Sequence, residues 1–320
     1  MLHIIPNDIL CLSFDYLLIT ELLLCTLLSK PSYQSVVYYF QRLKCFNLIE
    51  EQFYPDSMML HENIFPLQIK PNSILRHMEN LQSITVSIAL IPRSLFLSII
   101  SHNSHKLHTA VIISRQPHEY YFRLPCHDFP LDYGDPTEAT YCILQHLAFV
   151  KDLTLTSMSL NCSHKRLFKK MCFLTHLYLN CCRFKAQAIN NIIPSLKRVQ
   201  QLLIDDPYQQ FYDSSINLLY QHSPKIQHVY IQYSKIIIQA AKLLLQFPKM
   251  QYLDVRGCRN FCHKELFDYK FDINPSIILK HDYEPHYHGQ FEPYHHRGCP
   301  YIRKKRRRYD VNFDDEYNEF

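Results

Sequence analysis

Five short segments of this chain repeat one pattern at a nearly constant interval, and that interval restricts the fold more than anything else in the sequence. VKDLTL (150–155), LTHLYL (174–179), VQQLLI (199–204), IQHVYI (226–231) and MQYLDV (250–255) each read apolar-x-x-apolar-x-apolar. The middle apolar residues are Leu153, Leu177, Leu202, Val229 and Leu253, so the steps are 24, 25, 27 and 24 residues. Strand-like segments returning at such steps predict a solenoid, in which each unit buries its apolar face only against its neighbours. LQSITV (81–86) and LHTAVI (107–112) fit the same template 26 residues apart.

Between the strand-like segments lie apolar stretches with helical spacing, such as Ala188-Ile189-Ile192-Ile193 and Ala240-Ala241-Leu244-Leu245. Pro194, Pro224 and Pro248 follow three of these stretches. Proline there stops a helix and sends the chain extended into the next strand. The endings Asn180-Cys181 and Gly257-Cys258 match the Asn/Cys position that closes a leucine-rich-repeat strand. On these residues the region resembles the leucine-rich repeats, including their cysteine-containing subtype. The alternative is an unrelated α/β core with strand-like runs.

The N-terminus is strongly apolar from Ile9 to Leu28, close to the length of a membrane span. Asp15 and Glu21 inside the stretch, Asp8 before it and the lack of a basic leader argue against a membrane or secretory segment. Pro6-Asn7-Asp8 is a helix-start signal. Ile9, Leu10, Phe14 and Leu17, then Leu22, Leu23, Leu27 and Leu28, recur at helical spacing. Short helices this apolar need a covering surface, within the chain or outside it.

Ile5-Pro6, Asp8, Ile9-Leu10, Phe14-Asp15-Tyr16-Leu17 and Glu21-Leu22 resemble the opening of an F-box over roughly residues 3–45. Ser13 and the absence of Trp depart from that pattern. The resemblance implies an α/β protein: a small N-terminal helical F-box, then a leucine-rich-repeat solenoid with a parallel curved sheet and outer helices, then a disordered C-terminal tail. It further implies a non-enzymatic substrate adaptor of a Skp–cullin–F-box ubiquitin ligase. Ile5, Pro6, Ile9, Leu10, Phe14, Leu17 and Leu22 would dock on a Skp-type adaptor and through it a cullin, while the repeats hold a target protein. The other reading is a repeat scaffold whose N-terminal helices only cap the array.

The expected domain bounds are 1–48 for the F-box-like helices, 49–78 for a linker and 79–270 for the repeats. An irregular insertion is expected at 114–139 and a largely disordered tail at 271–320. Side chains alternate across a strand, so residues flanking the apolar markers should face the concave side. Three columns follow. One is Asp152, His176, Gln201, His228, Tyr252; the next Thr154, Tyr178, Leu203, Tyr230, Asp254; the third Thr156, Asn180, Asp205, Gln232, Arg256. Tyr, His, Gln, Asp and Arg suit protein recognition. Within these columns His176, Tyr178, Asn180, Gln201, Asp205, His228, Tyr230, Gln232, Tyr252, Asp254 and Arg256 are the candidate partner-binding residues.

Composition narrows the chemistry. Only 4 Gly occur in 320 residues, and no phosphate-cradling glycine motif is present. The net charge of +5 comes from one run, Arg303 to Arg308, so a specific nucleic-acid surface is not expected. The 12 Cys are scattered, and Cys142, Cys172 and Cys258 read as core thiols of a reducing compartment. Cys258-x-x-x-Cys262-His263 lacks a second ligand pair, so no metal or other cofactor is expected. The expected location is cytoplasmic and/or nuclear, with 303–308 as a candidate import signal.

Overall fold

The computed structural model describes residues 28–49, 74–114, 134–206 and 208–282, together with Leu22 and Cys25. The F-box-like positions Ile5, Pro6, Ile9, Leu10, Phe14 and Leu17 lie outside the described residues, as do most of the 114–139 insertion and residues 283–320.

Described elements alternate strand and helix. Helix α1 (Lys30–Arg42) opens on a Ser29 cap, whose hydroxyl accepts the Ser32 N–H, with Pro31 in the first turn. Strand β1 (Cys45–Leu48) follows, and a 3-10 turn at Ile74–His77 leads to β2 (Ser83–Ser87), α2 (Arg93–Asn103) and β3 (Thr109–Ile113). Next come α3 (Pro136–Leu144), β4 (Asp152–Thr156), β5 (Ser159–Leu160), α4 (Lys165–Lys170), β6 (His176–Asn180) and β7 (Arg183–Phe184). The described chain closes with α5 (Ala188–Ile192), β8 (Gln201–Asp205), α6 (Asp213–His222), β9 (His228–Gln232), α7 (Ile238–Leu245), β10 (Tyr252–Asp254), α8 (His263–Ile273) and β11 (Ile278–Lys280).

Nine strands form one sheet in the order β1-β2-β3-β4-β6-β8-β9-β10-β11, every neighbouring pair parallel. Short β5 and β7 pair separately. Successive strands are neighbours without crossing, as repeat stacking requires. The markers align in register, Leu153 to Leu177 to Leu202 to Val229 to Leu253. All five are fully buried in a single core cluster with helix residues such as Ile189, Ile216, Ala241 and Leu244. Each such side chain contributes about 1.5–3 kcal/mol by leaving water.

Two backbone devices recur at the strand ends. The carbonyl preceding a strand accepts two N–H groups from the next repeat. Lys151 accepts from Thr175 and His176 at 2.8 and 3.0 Å, and Gln227 accepts from Gln251 and Tyr252 at 2.8 and 3.1 Å. At the far end, Ser157, Cys181, Tyr233 and Gly257 adopt left-handed φ of 57°, 50°, 60° and 78°. The first three donate their N–H to the next repeat's strand-end carbonyl, on Asn180, Asp205 and Arg256. Gly257 instead donates to the Asp282 carboxylate at 2.7 Å.

The repeat-closing cysteine is Cys182, not Cys181. Cys182 is buried and its thiol donates to the Leu155 carbonyl at 3.3 Å, as Cys258 does to Ile231 at 3.2 Å. Cys181 occupies the left-handed position before it and is half-buried. Of the three cysteines expected in the core only Cys258 is buried; Cys172 is exposed and Cys142 half-buried.

The sheet also runs beyond the 79–270 bounds. Strand β1, inside the expected F-box segment, pairs with β2, while β11, inside the expected tail, pairs with β10. Helix α3 begins within the insertion and continues past it. No described helix is long and apolar enough to cross a membrane.

Candidate functional site

The helices cover one face of the sheet. On β6, β8 and β9, half-buried and fully buried residues alternate strictly, so the half-buried ones face the open side. Two predicted columns are there in register: Asp152, His176, Gln201, His228 and Tyr252 are consecutive partners, as are Thr154, Tyr178, Leu203, Tyr230 and Asp254, while the third is in register from Thr156 through Asn180 and Asp205 to Gln232 and stops before Arg256.

The first column is internally bonded. Asp152 Oδ1 lies 2.5 Å from His176 Nδ1, and its Oδ2 accepts the Thr109 hydroxyl from β3 at 3.3 Å. Thr175 Oγ1 stands 3.1 Å from the same His176 nitrogen, holding the ring in place. An aromatic cluster joins the first and second columns. The Tyr230 and Tyr252 rings pack at 4.8 Å, His228 lies 6.2 Å from Tyr252, and Gln201 donates to the Tyr230 hydroxyl at 3.4 Å. Burial raises the Tyr178 hydroxyl pKa, helped by Tyr230 and Asp152; burial likewise raises Tyr252, helped by Asp254 and Tyr230. Both phenols therefore remain neutral hydrogen-bonding groups at physiological pH.

In the third column Asn180 reaches the Thr156 hydroxyl at 3.5 Å, and Asp205 accepts from the Cys181 thiol at 3.5 Å. One candidate is misplaced. Asp254 is 1% exposed, not a free contact residue. Arg256 folds over it with Nη2–Oδ2 at 2.6 Å and Nε–Oδ1 at 3.0 Å, and Gln232 donates to it at 3.2 Å. Arg256 lies in the turn after β10, and its pKa is raised, first by the bonds to Asp254. The forked pair satisfies a carboxylate that would be costly to bury alone. It presents only the guanidinium to the open side.

Leu22 requires a second correction. It is 2% exposed and belongs to the core cluster with Val36 and Phe40 of α1, so this residue is covered by its own chain.

No protein-family profile matches the chain, and no curated protein matches it. Among solved structures it is similar to the crystal structure of the Rad7 and Elc1 complex in yeast. That match has 11% identity over 78% of this chain and 71% of that chain, at a TM-score of 0.38.

Three features of the site are absent from the sequence reading. Thr109 extends the Asp152–His176 pair to a third strand. On the side where strands end, Arg183 of β7 lies 5.2 Å over the Tyr208 ring, and Gln210 accepts the Phe184 N–H at 2.8 Å. These link the loop after β8 to the small β5–β7 sheet. A strand-pattern reading misses them because the loop after β8 follows no repeat. On the opposite rim the residue three before each of β4, β6, β8, β9 and β10 is exposed, and its sequence signal is the repeated Pro-Lys of Pro224-Lys225 and Pro248-Lys249. No group of three His, Cys, Asp or Glu able to hold a metal ion occurs among the described residues.

Proposed function

We propose that this chain is a non-catalytic adaptor that binds a target protein on the open face of its sheet. The carrying observation is the in-register row of Tyr178, Leu203 and Tyr230 with Tyr252 beside it, bordered by Asp152, His176, Gln201 and Asp205. Amphipathic rings already packed on one another lose little freedom on binding, and a surrounding polar rim suits recognition over catalysis. A Tyr178→Ala/Tyr230→Ala double variant would keep the fold and lose at least tenfold in affinity for the target. Unchanged affinity would remove the open face from this role.

The finer reading rests on the F-box-like residues Ile5, Pro6, Ile9, Leu10, Phe14 and Leu17. They would bind a Skp-type adaptor and, through it, a cullin, so that the repeats raise the local concentration of target beneath a ubiquitin-conjugating enzyme. The work would be done in the cytoplasm and/or nucleus, with 303–308 as import signal. Co-expression with a Skp-type adaptor tests it. Co-purification lost in Ile9→Asp/Phe14→Asp supports the ligase role; a soluble chain that never co-purifies supports the alternative, a scaffold whose N-terminal helices cap the array. The buried position of Leu22 favours the cap for that residue.

A further inference from the structure

The rim where the strands begin carries a second ordered row, separate from the open face. Because β4, β6, β8, β9 and β10 start in register, residues at one offset before them line up along that edge. Three residues before each strand stand Phe149, Phe173, Arg198, Lys225 and Lys249, all exposed. The two phenylalanines are 47% and 43% exposed and stack at 6.0 Å with their planes 25° apart. The two rings form one contiguous exposed apolar contact, unlike exposed apolar residues scattered singly. Arg198 is fixed by a 3.0 Å bond from Nη1 to the Cys172 carbonyl. The turns 145–151, 171–175, 196–200, 223–227 and 246–251 contain no Asp or Glu, whereas Lys151 and Lys197 add charge beside the row. Helix C-termini favour nearby cations, which explains Lys169 and Lys170 in the last turn of α4. Arg198, Lys225 and Lys249 lie beyond their helices, and among the described residues none of the three forms an ion pair.

We propose that this rim binds an extended peptide in which aromatic or large apolar side chains are followed by an acidic stretch. The aromatic part would stack on Phe149 and Phe173, and the carboxylates would run over Arg198, Lys225 and Lys249. Five strand positions at about 4.8 Å cover roughly 20 Å, the length of about six extended residues. A protein segment fits better than nucleic acid. The rings occupy one end of the row and Arg198, Lys225 and Lys249 the other, whereas a nucleic-acid strand carries a base and a phosphate at every step and calls for rings and cations to alternate. The proposal goes beyond the open-face reading and does not depend on it.

The test is fluorescence anisotropy on the full chain with a labelled octapeptide carrying two Phe followed by Glu residues. The same peptide with Gln for Glu, and a labelled oligo-dT of eight nucleotides, serve as comparisons. The Glu peptide binds, weakens as salt rises, and loses at least tenfold in Lys225→Glu/Lys249→Glu and in Phe149→Ser/Phe173→Ser. Lys165→Glu/Arg166→Glu, on the other edge, leaves it unchanged. Binding that survives both rim variants belongs to the Arg303–Arg308 run and overturns the proposal. Tighter binding of the oligonucleotide than of the Glu peptide, or no preference for Glu over Gln, overturns it as well.

Discussion

Asn103 closes helix α2 with a buried side chain whose every polar atom is used. Its amide donates to the Met78 and Ile99 carbonyls at 2.7 and 2.8 Å, and its carbonyl accepts the Leu81 N–H at 2.9 Å. Asn103→Leu fills the space but strands a buried donor and the Met78 acceptor, so it costs about 3 kcal/mol, measurable as a lower urea midpoint with an unchanged slope. His164 is buried too. Its Nδ1 receives the Asn161 N–H at 3.1 Å, while Nε2 makes no hydrogen bond among the described residues. Burial lowers its pKa in the folded state. The unfolded chain therefore binds the proton first, and the His164 contribution is lost as pH falls below about 6.5. His164→Asn keeps an acceptor near Nδ1 and removes the titration. The drop in urea midpoint between pH 7.5 and 5.5 becomes smaller in that variant. It does not vanish, because burial lowers His146 and His281 in the same direction. Burial also pushes the Cys182 thiol up to about 12 and Cys258 to about 11, so at pH 8 a thiol reagent modifies Cys172 and Cys262 in the native protein and reaches these two only on unfolding.

At the scale of the repeat, the left-handed residues that follow β4, β6, β9 and β10 have an energetic consequence that depends on residue type. Gly257 takes φ 78° freely, and an added Cβ would sit 2.6 Å from Tyr233 Cδ1, so Gly257→Ala both strains the backbone and displaces a ring. It should lower stability by about 1–3 kcal/mol. Ser157 has a side chain in the same conformation, and Ser157→Gly should raise stability by up to about 1 kcal/mol; thermal unfolding of the two variants gives opposite signs. The spacing of Leu153, Leu177, Leu202, Val229 and Leu253 made the direction and register of those strands legible, because a parallel stack leaves only one way to align equal units. Finer positions were not legible. Cys181 and Cys182 are both plausible as the closing cysteine until the left-handed turn shifts the inward side chain by one. Asp254 reads as open-face by alternation alone, yet Arg256 two residues later folds back and encloses it.

Across the whole molecule the strands differ in how many neighbours hold them. In the nine-stranded sheet β2, β3, β4, β6, β8, β9 and β10 are each bonded on both sides, whereas among the described residues β1 and β11 are bonded on one side only. The expected domain bounds missed both end strands because each is short and lacks a full repeat pattern on its outer side. The two ends are unequal. Strand β1 buries Phe46 and Leu48 and is backed by Val36 and Phe40 of α1. Strand β11 has only three residues, with Ile278 57% exposed, and the preceding helix leaves Phe271 and Ile273 on the surface. In a nearly one-dimensional stack, opening an end breaks one interface, while opening the middle breaks two. Native-state hydrogen exchange should therefore rank the strand amides: Leu279 and Lys280 of β11 exchange first, β1 next, and Leu177, Leu202 and Val229 last, near the global unfolding free energy. Leu202→Ala, at the centre, should cost about 2–5 kcal/mol and speed exchange in β6, β8 and β9 together. Leu279→Ala should cost far less and leave those amides unchanged. Equal protection along the sheet would mean that the array unfolds as one block, and the nearest-neighbour account of its stability would then be wrong.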